Sequence, residues 1–140
     1  MSLSDKPFGR IPIDVLENAW PTLEPYIDRA IDAVPLHDDT ATDVFNDAMY
    51  DRAQIWAYGD PSDFDLVVVT YLKKYKRIGL VCEVTYASGR DLEICKYVCE
   101  RLKQWSDSIG CDKFLVYGRV GWSRVLKSVG LKQVFAICEG

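Results

Sequence analysis

Histidine is almost missing from this chain: among its 140 residues only His37 carries an imidazole. Cys95 and Cys99 stand one helical turn apart, but without companion histidines or cysteines their spacing is poor evidence for zinc. Buried apolar packing is the better reading of both, and no metal is expected. Paired cysteines are missing as well. Cys82, Cys95, Cys99, Cys111 and Cys138 are odd in number, and Met1-Ser2-Leu3-Ser4-Asp5-Lys6 lacks the basic and apolar regions of a signal peptide. Both point to reduced thiols in a protein made and kept in a cytoplasm, unless it is packaged into something. No apolar run approaches the roughly 18–20 residues that span a bilayer, so no membrane role is expected.

An excess of positive charge is lacking too. Seventeen Lys and Arg against 21 Asp and Glu leave a net charge of -4. Nucleic-acid binding draws on many phosphate-neutralising cations, so nucleic acid is not expected as a partner. The one basic cluster, Lys73, Lys74, Lys76 and Arg77, falls where a hairpin turn is expected and reads as a solvated loop.

What is present is an ordinary globular balance, 49% apolar and 27% charged, with no internal repeat, low-complexity tract or linker. A single domain over residues 1–140 fits this length. Asp14 with Glu17 resembles a capping box. It precedes apolar residues at helical spacing, Leu16, Ala19, Trp20, Leu23, Tyr26, Ile27, Ala30, Ile31 and Val34. Pro21 and Pro25 interrupt that pattern, so a short helix followed by a second one from Pro21 or Thr22 is expected. Thr40 with Asp43 forms another capping box, before a helix lined by Val44, Phe45, Ala48 and Met49.

Residues 54–58 alternate as a strand, and Gly59-Asp60-Pro61-Ser62 is turn chemistry. Residues 64–72, with the run Leu66-Val67-Val68-Val69, suit a central strand covered on both faces. A turn over 73–79 and a strand over 80–86 follow. Asp91 then caps the clearest helix, whose stripe is Leu92, Cys95, Val98, Cys99, Leu102, Trp105 and Ile109, and Gly110 ends it. A strand over 113–117, a short helix over 122–129 stopped by Gly130, and a final strand over 133–138 complete an α/β (α+β) order. That order is N-terminal helices, an antiparallel meander, then strand-helix-strand-helix-strand.

This order resembles the GCN5-related N-acetyltransferase fold from about Asp14 onward. The chain is further similar to small acetyltransferase-like virion or head-assembly proteins of short-tailed phages and prophages. Four segments carry that likeness: Ala19-Trp20-Pro21 with Pro25, Arg52-Ala53-Gln54-Ile55-Trp56, Gly89-Arg90-Asp91 with Gly110-Cys111, and Gly118-Arg119-Val120-Gly121-Trp122-Ser123-Arg124-Val125-Leu126 before Gly130. The last is the most specific. The resemblance implies a phage structural or assembly protein, present in the host cytoplasm during assembly and in the virion if retained, with other virion or head proteins as partners.

The same resemblance supplies three marks of chemistry. Active relatives carry a loop of pattern Q/R-x-x-G-x-G/A, whose amides and helix N-terminus hold the pyrophosphate of acetyl-CoA. Here Tyr86-Ala87-Ser88-Gly89-Arg90-Asp91 has one glycine, and the Asp91 carboxylate would occupy donors that a phosphate needs and repel it. Gly89, Arg90 and Asp91 therefore read as a degraded phosphate loop, and no cofactor is expected. Aligning the final glycine of the last-helix motif with Gly130 puts Leu126 where relatives carry a proton-donating tyrosine, and Arg119 at an asparagine; leucine transfers no proton. Glu83, in mid-strand, is the one residue placed like a general base, against the preferred reading of an edge-facing or salt-bridged glutamate. Tyr117 is assigned to its strand.

A non-catalytic assembly module is thus the leading expectation, with an acetyl-CoA-dependent N-acetyltransferase on an amine, and a ligand-sensing module that kept the pocket, as alternatives. Arg90, Arg119, Trp122 and Arg124 have two open readings: an exposed surface that docks a partner, or a tryptophan packed beneath the sheet with its arginines paired to Asp91 or other carboxylates.

Overall fold

Among the described residues, five strands join in chain order into one mixed sheet. They are β1 (Phe8–Arg10), β2 (Ala53–Asp60), β3 (Asp63–Tyr75), β4 (Gly79–Ser88) and β5 (Lys113–Val116). A computed structural model describes residues 2–34, 37–89, 91–117, 122–134 and 138. The first four strands are antiparallel, and β5 runs parallel to β4. Helices α1 (Ile13–Asp32) and α2 (Ala41–Met49) pack on one face through Leu23, Ile27, Val44, Ile55, Val67 and Val69. Helix α3 (Leu92–Ser108) covers the other, with Val98 and Leu102 against Trp56, Val68 and Val84. The short α4 (Trp122–Leu126) joins that second layer, Trp122 packing against its core. This is the α/β arrangement that the element order implies.

Helix α1 is one helix, not two. Pro21 and Pro25 both lie inside its 20 residues. A proline inside a helix costs about 3 kcal/mol, whereas each fully buried Leu or Ile contributes about 1.5–3 kcal/mol. Leu16, Leu23, Ile27 and Ile31 are all buried against the sheet, and together they outweigh the two prolines. The Trp20 Nε1–H also donates to Glu24 Oε2 at 2.7 Å, clasping the turn around Pro21. The expected Asp14/Glu17 box is replaced by Pro12, which caps the helix in extended conformation with no side-chain hydrogen bond. The Thr40/Asp43 box does form.

Strand β2 is buried from Ala53 to Gly59 without alternation, since both of its faces are covered. Strand β1 has no counterpart in the sequence reading. Its three residues, between Pro7 and Pro12, are too few to show a period, and pairing with β2 and the stacking of Phe8 on Trp56 at 5.7 Å hold it. Strand β3 runs on to Tyr75, so Lys73 and Lys74 belong to the strand and only Lys76 and Arg77 to the turn. On α3, Cys95, Val98, Cys99 and Leu102 are buried as the stripe predicts, but Leu92 and Ile109 at its ends are exposed and Ile94 is buried instead. Burial pushes the Cys82 and Cys99 thiols up to about 12, so neither is a nucleophile at neutral pH.

Gly110 and Gly130 end their segments at positive φ, as expected. Residues 131–134 have no regular structure, and 135–137 of the expected final strand lie outside the described residues. Among the described residues, no helix is long and apolar enough to cross a membrane, and no group of three metal-ligating side chains forms.

Candidate functional site

Two places invite chemistry: the β4–α3 junction and the face of β4 around Glu83. At the first, Asp91 is the N-cap of α3, and its Oδ1 accepts the amide N–H groups of Glu93 at 3.0 Å and Ile94 at 3.4 Å. Two of the free donors of this helix end are therefore taken by a carboxylate of the chain itself. Gly89 has a packing reason to be glycine: a Cβ there would lie 2.6 Å from Leu66 Cδ1 and 3.0 Å from the Asp65 carbonyl. The junction is pressed against β3. Between α3 and the sheet remains a small apolar void of about 10 Å³, with Trp122 on its wall. Arg90 lies outside the described residues.

At the second place a carboxylate is buried in the sheet face. Glu83 is 0% exposed. It sits opposite Tyr71 on β3 and Leu115 on β5. Alternation along β3 sends Tyr71, Lys73 and Tyr75 to one face. The Tyr75 and Tyr117 hydroxyls donate to Glu83 Oε1 at 3.2 and 2.8 Å. Lys73 Nζ stands 3.0 Å from Oε2, outside hydrogen-bond geometry, so Oε2 has an ion pair and no hydrogen bond. The glutamate is thus salt-bridged, as preferred, but it lies in the sheet interior and not at an edge.

Farther along the same face the Tyr71 hydroxyl donates to Asp47 Oδ2 at 3.0 Å, and the Tyr86 hydroxyl to Asp39 Oδ2. Burial first, and then these carboxylates, raise the titration of both phenols.

Tyr117 lies just beyond β5, 44% exposed as a residue, with its hydroxyl turned inward to Glu83. Burial, and after it the hydrogen bond to Glu83, push its hydroxyl up to about 12. The folded chain keeps this proton where an unfolded tyrosine, titrating near about 10, loses it. The stabilisation is therefore complete below about pH 10 and is lost as pH rises towards 12. An ultraviolet phenolate titration is expected to show a phase near 12 that disappears in Tyr117→Phe. In Glu83→Gln that phase should move only partly back, because burial remains. A Tyr117 phase at the ordinary value would contradict this geometry.

The sequence reading singled out Glu83, set Tyr117 aside as a residue of its strand, and missed Tyr75 and Lys73. The signal available was the i, i+2, i+4 set Tyr71-Lys73-Tyr75, hidden by ending the strand at residue 72. Of the four partner-binding candidates, Trp122 is half-buried in the α3-side core. Arg124 is exposed, with no hydrogen bond or ion pair among the described residues. Arg119, like Arg90, lies outside the described residues. Leu126, which the sequence resemblance aligns with a proton-donating tyrosine, is buried.

The overall architecture is shared with solved acetyltransferases. An aminoglycoside acetyltransferase from an uncultured soil metagenomic sample, in complex with sisomicin, is similar with a TM-score of 0.69 at 9% identity, over 99% of this chain and 99% of that one. Glucosamine-6-phosphate N-acetyltransferase from Arabidopsis thaliana is similar with a TM-score of 0.64 at 13% identity, over 96% and 97% of the two chains. A predicted acetyltransferase from Clostridium acetobutylicum, solved with acetyl-CoA, has a TM-score of 0.67 at 10% identity, over 96% and 94%. No protein-family model matches the sequence, and no curated protein is similar to it. At these identities the likeness establishes the fold: the chain has the architecture of the GCN5-related N-acetyltransferases.

Proposed function

We propose that this chain is a non-catalytic protein–protein assembly module that keeps an acetyltransferase-like fold without using acetyl-CoA. One observation carries the reading. The Asp91 carboxylate takes the α3 amides, where the fold family binds a pyrophosphate, and a negative charge there disfavours a second one. The packing of Gly89 onto Leu66 agrees, since it accounts for the glycine without a phosphate. The residues present do not fit the cofactor. A phage or prophage particle as the setting is what the sequence resemblance of residues 118–126 to small head proteins implies. Mass spectrometry of purified particles tests it, and persistent absence from particles and their assembly intermediates would overturn it.

The reading of an N-acetyltransferase acting on an amine is favoured by one observation, the buried Glu83 with its two tyrosines. Against it, Lys73 holds the other carboxylate oxygen as an ion pair, and Leu126 offers no proton. Calorimetric titration of the purified chain with acetyl-CoA separates the two. The module reading expects no heat and no thermal shift at millimolar ligand. Micromolar binding, about -8 kcal/mol, would overturn it and make Glu83 a general base to be tested.

A further inference from the structure

Charge is unevenly placed on this chain. Eleven Asp and Glu but only four Lys and Arg fall in residues 1–52. Five of those acids, Asp14, Glu17, Glu24, Asp28 and Asp32, lie along one side of α1, within an arc of about 80° and a length of about 27 Å. All five are exposed, and none has an ion pair among the described residues. The one cation of the helix, Arg29, lies over the Tyr26 ring at 4.7 Å. The opposite charge gathers at the β3–β4 turn. Lys74, Lys76 and Arg77 are exposed there, again with no ion pair among the described residues. Lys73 is not part of this group, since it pairs with Glu83. Between Asp65 and Glu83 the chain has no acid. Asp112, at the base of the turn, is held by the Leu80 amide and stands next to Lys113.

We propose that the β3–β4 turn of one copy docks on the acidic side of α1 in a second copy. Both halves of the contact are present on this chain, and no ion pair joins them within one copy. A single exposed ion pair contributes little. Three cations facing a row of five carboxylates form a network instead, and their opposite fields steer the encounter. Apolar surface accompanies the charge on each side. Ile78, at the turn, is 49% exposed, and Pro21 and Pro25 stand exposed along the acidic side of α1. Covering Ile78 with those rings removes apolar area from water. A nucleic acid is the less favoured occupant of the turn, because the net charge of -4 repels a phosphate backbone. The contact uses neither the β4–α3 junction nor Glu83, so it goes beyond the module reading and is independent of acetyl-CoA.

The test is sedimentation velocity of the full chain from micromolar to millimolar concentration. The parent chain is expected to gain mass with concentration at low salt. It should associate about tenfold more weakly in about 1 M NaCl, where screening sets in beyond about 3 Å. Lys74→Glu/Lys76→Glu/Arg77→Glu reverses the turn, and Glu17→Lys/Asp28→Lys/Asp32→Lys reverses the helix side. The second set spares Asp14, in the first turn of α1, and Glu24, which holds Trp20. Each reversed chain alone should stay monomeric. An equal mixture of the two should associate again, because the acidic turn of one then meets the basic helix of the other, a rescue that misfolded variants would not give. A parent chain that stays monomeric at millimolar concentration and low salt would overturn the contact, as would reversed chains that associate like the parent. Association lost with the reversed turn but kept with the reversed helix would overturn α1 as the partner. A labelled single-stranded oligonucleotide that binds the monomeric parent and not the reversed turn would replace the second copy by nucleic acid. A monomeric chain leaves the module reading standing, and acetyl-CoA binding would sink that reading without touching this contact.

Discussion

Thr70→Val is expected to destabilise the fold by about 2–6 kcal/mol, although it changes the shape of the side chain very little. Thr70 is fully buried between Gln54 and Trp56, themselves buried. Its hydroxyl accepts the Trp56 indole N–H at 3.0 Å and donates to Gln54 Oε1 at 2.9 Å. A hydroxyl is the one group of this size that can both accept and donate. Valine would leave a buried donor and a buried acceptor without partners, each at a cost of about 1–3 kcal/mol. Thr70→Ser keeps the hydroxyl and is expected to cost much less. Urea unfolding monitored by tryptophan fluorescence measures both, and equal midpoints for the two variants would refute the bridging role. The consequence is structural: this network aligns β2 with β3 beneath Trp105, whose ring meets that of Trp56 edge-on at 4.8 Å.

Gly79→Ala should destabilise by about 2–4 kcal/mol, which for a chain of this size lowers Tm by roughly 10 °C. Gly79 has φ +95, and a Cβ there would lie 2.1 Å from Asp112 Oδ2. That carboxylate accepts the Leu80 amide at 2.9 Å, while the Asp112 amide donates to the Leu80 carbonyl at 2.7 Å. The pair starts β5 beside β4, and from there Leu115 aligns with Glu83. An added methyl strains the left-handed backbone and expels the carboxylate that sets this start. In an Asp112→Ala background the clash is gone, so the same glycine substitution should cost markedly less there. Additive losses would show that strain at φ +95 is the whole effect.

Parts of the molecule governed by neighbours in sequence were legible before any fold was drawn. The Thr40/Asp43 box, the Asp91 cap and the Gly110 terminus each depend on a few adjacent residues, and each is where the residue types place it. The α3 stripe is a matter of period, and its middle is buried as the period demands, while its ends at Leu92 and Ile109 are exposed. Continuity of α1 was not legible. Local rules count the cost of Pro21 and Pro25, but the burial that outweighs them comes from strands far along the chain. Strand β1 was hidden for the same reason, since three residues gain their conformation from β2 and from the Trp56 ring.

The candidate site divides along the same line. By itself the sequence determined that the β4–α3 junction has one glycine and an aspartate cap, because capping is decided within four residues. The resemblance read on it further aligns Leu126 with a proton-donating tyrosine of active acetyltransferases. Only the tertiary structure decided what surrounds Glu83. Tyr117 is 34 residues away, and it meets the carboxylate through the parallel register of β5 on β4. Tyr75 and Lys73 meet it through the antiparallel register of β3. Side chains alternate between the faces of a strand, so a slip of one residue would turn all three away from Glu83. Register is set by contacts between distant segments, and no local pattern of residues contains it.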